Sequence, residues 1–225
     1  MKIGIVGTGN MGRAIGLVLD QLGHDVFFGA RNEEKAKSAA QLSCNSTRYG
    51  TNQQAAEFGN VIYFNPRDVA PSEVLADISA LNGKVVFDSN NQATPENSYA
   101  PITLSVSEQL QEQIPEARVV KAFNTVAQEV FEIEPEIKRQ YRIACFLAGN
   151  DPDARNIVSA LASEMGFEPI DCGALLQARH LEAAGNLIRL VIRARGGDLG
   201  TTFSVPSMPL PPESRFAQRQ ISNLH

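Results

Sequence analysis

The stretch Gly7-Thr8-Gly9-Asn10-Met11-Gly12 constrains this chain more than any other. It has the pattern G-x-G-x-x-G and follows directly on the β-branched run Ile3 to Val6. Directly after it, Ala14, Ile15, Val18, Leu19 and Leu22 recur three and four residues apart, the stripe of a helix packed on a sheet, and Gly23 supplies the stop. In that setting the three glycines do different things. Gly7 permits a tight turn, Gly9 lets backbone approach a pyrophosphate, and Gly12 lets helix pack on strand. The helix N-terminus then offers free N–H groups and the positive end of its dipole to an anion. A strand, this loop and a helix together predict a dinucleotide site.

The same alternation continues along the chain. Strand candidates at Val26 to Phe28, Val61 to Phe64, Val85 to Phe87, Val119 to Ala122, Tyr141 to Leu147 and Glu168 to Ile170 are separated by helix-like stretches such as Glu73 to Leu81 and Ser107 to Ile114. This predicts an α/β fold, a Rossmann-like doubly wound parallel sheet with helices on both faces. Asp151-Pro152 opens a helix carried by Ile157, Val158, Leu161 and Met165 and ended at Gly166, making a second crossover from Tyr141 to Asp171. A last helix from about Ala174 to Arg195 stops at Gly196-Gly197. The expected division is a dinucleotide-binding part over 1–140, an α/β part over 141–205 closing the acceptor site, and an irregular tail over 206–225 with Pro206, Pro209, Pro211 and Pro212. Ser89 to Pro101 is the longest irregular stretch before the tail, and such stretches are commonly functional.

Twenty basic and 25 acidic side chains among 225 residues leave a formal charge of −5, which argues against nucleic acid or an anionic membrane as partner. No apolar run approaches the roughly 20 residues of a membrane-spanning helix, and Met1-Lys2-Ile3 leads straight into strand-like sequence without a signal pattern, so the cytoplasm is the expected compartment. Cys44, Cys145 and Cys172 have neither disulfide nor zinc-ligand spacing and are expected to be reduced; no metal site is expected. Asn45-Ser46-Thr47 matches a glycosylation acceptor by letter only.

The end of the second strand decides the cofactor. An NAD enzyme carries Asp or Glu there for the ribose 2′-hydroxyl, but Phe28-Gly29-Ala30-Arg31-Asn32 has no acid before Glu33. Arg31 can hold a 2′-phosphate in its planar fork, and Lys35, one turn on, adds a point charge, so NADP(H) is expected.

Val6 to Gly12, Gly29 to Asn32 with Lys35, Val120-Lys121-Ala122-Phe123-Asn124-Thr125, Gly149-Asn150-Asp151 and Asp171 to Leu175 together resemble the NADP oxidoreductases dependent on coenzyme F420. They are equally similar to the cytoplasmic reductase domain of the six-transmembrane epithelial metalloreductases. The resemblance covers about residues 2 to 203. It implies that Thr8, Asn10 and Met11 contact the pyrophosphate, that Arg31, Asn32 and Lys35 contact the 2′-phosphate, and that Asn65-Pro66, Ser89-Asn90, Ala122, Asn124 and Thr125 line the nicotinamide half. Three features depart from the pattern: Ala30 replaces a usual Ser, Asn124 follows the metalloreductases where the deazaflavin enzymes more often carry His, and the metalloreductases' membrane segments are missing. Asp198 to Phe203 resembles the C-terminal end of the deazaflavin enzymes.

The implied chemistry is direct hydride transfer between two rings, for which the protein supplies binding, orientation and exclusion of water; no catalytic acid or base is named. His180 and Glu182 are read as structural before acceptor-facing, and Asp88 as a loop anchor. The leading expectation is an NADPH-dependent reductase of an F420-type deazaflavin. The alternatives are an FMN, FAD or ferric-chelate reductase, and an NADP(H)-binding redox sensor without turnover. A dehydrogenase of imines or 3-hydroxy acids ranks lower, since the roughly 80 residues after Tyr141 hardly provide its all-helical second domain. The expected partners are a small-molecule acceptor and a second copy of the chain, docked through the apolar last helix.

Overall fold

The computed structural model describes residues 1–45, 48–92 and 100–209. Ser46 and Thr47 of the acceptor-like triplet, residues 93–99 of the irregular stretch, and the tail from Leu210 with Pro211 and Pro212 lie outside the described residues. The chain opens with β1 (Lys2–Val6), α1 (Asn10–Gln21), β2 (Asp25–Gly29), α2 (Glu33–Gln41), β3 (Arg48–Gly50), α3 (Asn52–Phe58) and β4 (Val61–Phe64). It continues with α4 (Pro71–Val74), β5 (Val85–Asp88), α5 (Val106–Gln113), β6 (Arg118–Lys121), α6 (Pro135–Gln140), β7 (Ala144–Gly149), α7 (Pro152–Glu164), β8 (Glu168–Asp171) and α8 (Ala178–Ala194).

The sheet order is β3-β2-β1-β4-β5-β6-β7-β8, and its first six strands are parallel. That 3-2-1-4-5-6 order is the doubly wound dinucleotide arrangement, with the order reversing between β1 and β4, where a crevice opens at the strands' carboxyl ends. Alternation within each strand builds two cores. Ile3, Ile5, Tyr63 and Phe87 pack with Ile15, Leu19 and Val158 of α1 and α7, while Ile62, Phe64 and Val86 pack with Ala55, Leu110 and Leu181 of α3, α5 and α8.

The parallel sheet has one reversal. β7 pairs with β6 antiparallel, Val120 beside Gly149 and Lys121 beside Ala148, and β8 then follows β7 in parallel. The link from β6 to β7 carries a 3-10 turn at Gln128–Glu132 and the six-residue α6. A helix that short rises only about 9 Å, too little to carry the chain back across the sheet.

Other differences are local. β3 has no counterpart among the expected strands, because Arg48-Tyr49-Gly50 is too short to show alternation and is held by pairing with Phe27 to Gly29. The helix expected over Glu73 to Leu81 divides into α4 and a 3-10 turn at Ile78–Leu81, since Asp77 accepts from Ser79 N at 2.9 Å and caps a new turn. Tyr141 is an exposed turn residue rather than the start of β7, which begins only after Arg142 at φ 49°. Asp151 caps α7 by accepting from Ala154 N at 2.7 Å, as its place before Pro152 predicts.

Candidate functional site

Gly7 leaves β1 at φ 94°, a conformation that L side chains resist. Its N–H is shared between Gly29 O at 3.2 Å and Asn52 Oδ1 at 3.1 Å. Thr8 donates to Gly29 O from its backbone at 3.0 Å and from its hydroxyl at 2.8 Å, so the hydroxyl proton is spent on β2. No side chain caps α1 and no acid stands in its first turn, which leaves the first-turn N–H groups to the crevice. A methyl added at Gly9 would have Asn65 Nδ2, 4.0 Å away, as its nearest neighbour, so the backbone here forms an open cradle.

That cradle is one wall of a cleft of about 480 Å³ that gathers Gly7, Thr8, Gly9, Arg31, Asn32, Lys35, Asn65 and Pro66. Its lining also includes Asn52 and Arg67, which no sequence motif singles out. Arg31 and Lys35 are exposed, and among the described residues no acidic side chain pairs with either. Asn32 caps α2 by accepting from Glu34 N at 3.0 Å, which fixes its side chain and leaves its amide NH2 for a ligand. An adjoining hollow of about 350 Å³ brings Asn10 together with Arg13, Lys35 and Ser38. Met11, in the first turn of α1, leans against the core, and Gly12 is buried.

Across the sheet's switch point the second group of expected residues converges. Asn90 Nδ2 donates to Pro66 O at 3.2 Å, and Ser89 bonds the buried Tyr63 hydroxyl, whose acidity burial suppresses. Ala122 N donates to Asp88 O at 2.9 Å, and Thr125 is buried next to Asn124. Phe123 between them holds φ 59°, unusual for an aromatic residue, and its ring is gripped by Phe87, Phe131 and Phe167. Asn124 Nδ2 donates to Asn91 Oδ1 at 2.8 Å and Leu181 O at 2.6 Å, and Asn91 Nδ2 donates to Asn124 O at 2.8 Å. Asn124 Oδ1 is buried and has no hydrogen-bond partner among the described residues. Asp88 accepts from Asn90 N at 2.7 Å and thus anchors the loop.

His180 is exposed, while Glu182 is wholly buried against Lys121, and desolvation pushes its carboxyl up against the pull of that ammonium. Gly149-Asn150-Asp151 and the Asp171 to Leu175 stretch meet each other, not the cleft: Gly149 N donates to Gly173 O at 2.9 Å and Leu175 N to Asn150 Oδ1 at 3.0 Å. Phe203 packs on Phe146 and accepts from Ala144 N at 2.8 Å. Among the described residues no cluster of three His, Cys, Asp or Glu could hold a metal ion, and no helix is long and apolar enough to cross a membrane.

The donor set fits the phosphate-bearing part of a dinucleotide with an extra phosphate: N–H groups without a side-chain cap behind an open glycine cradle, and two cations that pair with no acid among the described residues. Residues 2–92 match the family of NADP oxidoreductases, coenzyme F420-dependent. The F420-dependent NADP reductase of Methanocaldococcus jannaschii is 30% identical over 206 residues, covering 84% of this chain and 91% of that protein. The chain belongs to the coenzyme F420-dependent NADP oxidoreductase family.

It is accordingly an NADP-dependent oxidoreductase. The metalloreductase STEAP3 of Rattus norvegicus is 29% identical over 182 residues, which cover 81% of this chain but only 36% of that longer protein. The solved structure of an Arthrobacter sp. FB24 protein, provisionally described as an F420-dependent NADP reductase, superposes with a TM-score of 0.75 at 24% identity, over 92% of this chain and all of that one, and shares the fold.

Proposed function

We propose that this family member transfers hydride between NADP(H) and a deazaflavin of the F420 type, in the cytoplasm. The observation that carries the reading is the cleft itself, which joins the phosphate-binding loop and the Arg31–Lys35 pair to Asn65 and Pro66. Asn90 then links Pro66 to the Asn91–Asn124 side. NADPH, when bound, supplies the hydride, and reduction of the acceptor takes up one proton from solvent.

The chain's residues bind and orient. The N–H groups of Gly9, Asn10 and Met11 receive the pyrophosphate, with Gly7, Thr8 and Gly12 shaping the turn. Arg31, Lys35 and the Asn32 amide hold the 2′-phosphate. Asn65, Pro66, Ser89, Asn90, Ala122 and Thr125 wall the nicotinamide half, where Asn124 Oδ1 can accept a carboxamide N–H. These residues are small, amide or apolar, which suits a flat ring stacked against the nicotinamide and needs no side-chain acid.

The deazaflavin is favoured by the 30% identity to reductases named for it, across 91% of the Methanocaldococcus protein. A flavin or ferric-chelate acceptor is the second reading, favoured by Asn124, the residue type of the metalloreductase domain. Anaerobic NADPH oxidation against deazaflavin, FMN, FAD and ferric chelates tests both. Deuterium from 4-labelled NADPH should appear on the deazaflavin. If NADPH binds but no acceptor is reduced faster than without protein, the redox-sensor reading replaces turnover.

A further inference from the structure

Lys121 ends β6 with its side chain wholly buried. Its ammonium donates to Asp88 Oδ2 at 2.6 Å, to Glu182 Oε1 at 3.0 Å and to the carbonyl of Asn90. Asp88 ends β5 and Glu182 lies in the first turns of α8, so one cation joins two strands to the last helix. Two carboxylates against one ammonium leave a negative charge, which is covered by further donors. Asp88 Oδ2 also accepts from Ser107 Oγ at 2.6 Å, and Glu182 accepts from Val106 N at 2.8 Å and Gln92 N at 3.1 Å.

Stability alone does not explain such a network. Each buried ion loses several kcal/mol of hydration, and apolar side chains of like volume commonly fill such a space as well or better. What the charges supply is geometry. Asn90 N, Asn90 O and Gln92 N are all bound to the three ionised side chains, which fixes the backbone on either side of Asn91. Asn91 is paired amide to amide with Asn124, and Asn124 is also tied to Leu181 O, the residue before Glu182. With both donors of Asn124 committed, its Oδ1 is left fixed, buried and without a partner among the described residues.

We propose that Lys121 and Glu182 are positioning residues for hydride transfer, acting through Asn91 and Asn124 to hold Asn124 Oδ1 where the nicotinamide carboxamide can donate to it. Neither touches the cofactor. The proposal rests on the reading of the cleft as an NADP(H) site, and it gives this buried network a role that packing alone would not require.

Two variants test it by different routes. Glu182→Gln keeps the shape but turns an NH2 toward groups that are all donors. Gly185→Ala leaves every charge in place, and its methyl would stand 2.4 Å from Asn91 Oδ1, forcing that amide off Asn124. NADPH affinity, the emission of the bound nicotinamide, thermal melting, kcat and the primary isotope effect with 4-deuterated NADPH are measured on both. The expected result is an NADPH Kd within about threefold of wild type, because the phosphate contacts lie elsewhere. The bound nicotinamide's emission should change, and kcat should fall by about tenfold to a hundredfold with an altered isotope effect.

Unchanged emission and isotope effect in the folded variants, or kcat losses that merely track melting temperature, would overturn the proposal. Gly185→Ala still decides if Glu182→Gln does not fold. Should wild type bind NADPH without reducing any acceptor, the turnover reading fails while the emission still tests the positioning. Should wild type not bind NADPH, both fall together.

Discussion

The β-carbon that Gly12 lacks would stand 2.2 Å from the carbonyl oxygen of Gly7, whereas at Gly9 the same atom would meet nothing nearer than Asn65 Nδ2 at 4.0 Å. The two glycines therefore fail differently when mutated. Gly12→Ala should lower stability by about 1–3 kcal/mol, the usual cost of forcing a methyl into a closed contact. Gly9→Ala should melt like wild type yet lose NADPH binding, since its methyl fills the cradle. Paired melting curves and NADPH titrations check this, and equal melting of the two variants would contradict it.

NADPH should bind more tightly than NADH by about tenfold to a hundredfold, the worth of charge-assisted contacts of roughly 1.5–3 kcal/mol. Arg31→Ala should erase most of that preference and Lys35→Ala a smaller part, with NADH affinity nearly constant in both. Calorimetric titration with the two nucleotides gives the answer. An Arg31→Ala protein that retains its preference would locate the 2′-phosphate somewhere other than beside Arg31.

Lys138 gives a pH signature unrelated to the cleft. Burial holds its ammonium down to about 8, partly opposed by Glu134, and the group is left with Phe131 O at 3.4 Å and the Phe167 ring at 4.9 Å. The native state thus releases this proton before the unfolded chain does. The penalty is fully present below about 8 and fades as pH rises toward the ordinary lysine value of 10.5. Lys138→Met should melt above wild type at neutral pH, with the gap closing at alkaline pH. A gap that stays constant from pH 7 to pH 10 would count against the buried, destabilised ammonium.

A homodimer docked through the last helix is an expectation from the sequence, and on α8 the residues that test it are Leu187 and Leu190, 51% and 60% exposed. Sedimentation velocity should find a dimer for wild type and a monomer for Leu187→Glu with Leu190→Glu. Identical sedimentation of the two proteins would remove α8 from any self-association.

Legibility in the sequence followed the range of the interactions. The glycine loop, the strand before it and the helix after it are contiguous, and the ribose end is read from Arg31 and the missing acid nearby. The buried network was not legible. In the sequence Lys121 figures only as part of the strand Val119 to Ala122, and its burial depends on Asp88, which is 33 residues away and comes opposite it only in the register of β5 and β6. A Lys and an Asp each ending an apolar run was the available signal. Nothing near Glu182 in the sequence announces the backbone N–H groups of Gln92 and Val106, which reach it from 90 and 76 residues away. The β7 reversal depends on the length of a connection, a property with no residue pattern of its own.

That reversal has a practical side. Because β7 runs against its neighbour, the chain leaves Gly149 toward the start of β6, where Arg118 stands 3.9 Å from Asp151, and the turn at Gly173 gathers beside it with nothing within 4 Å of its missing side chain. The crevice opens at the other rim, by Asp88 and Lys121. A label carried by Ala174→Cys, at an exposed position of that turn, would therefore face away from the nucleotide and let the enzyme be tethered to a support with its working end free.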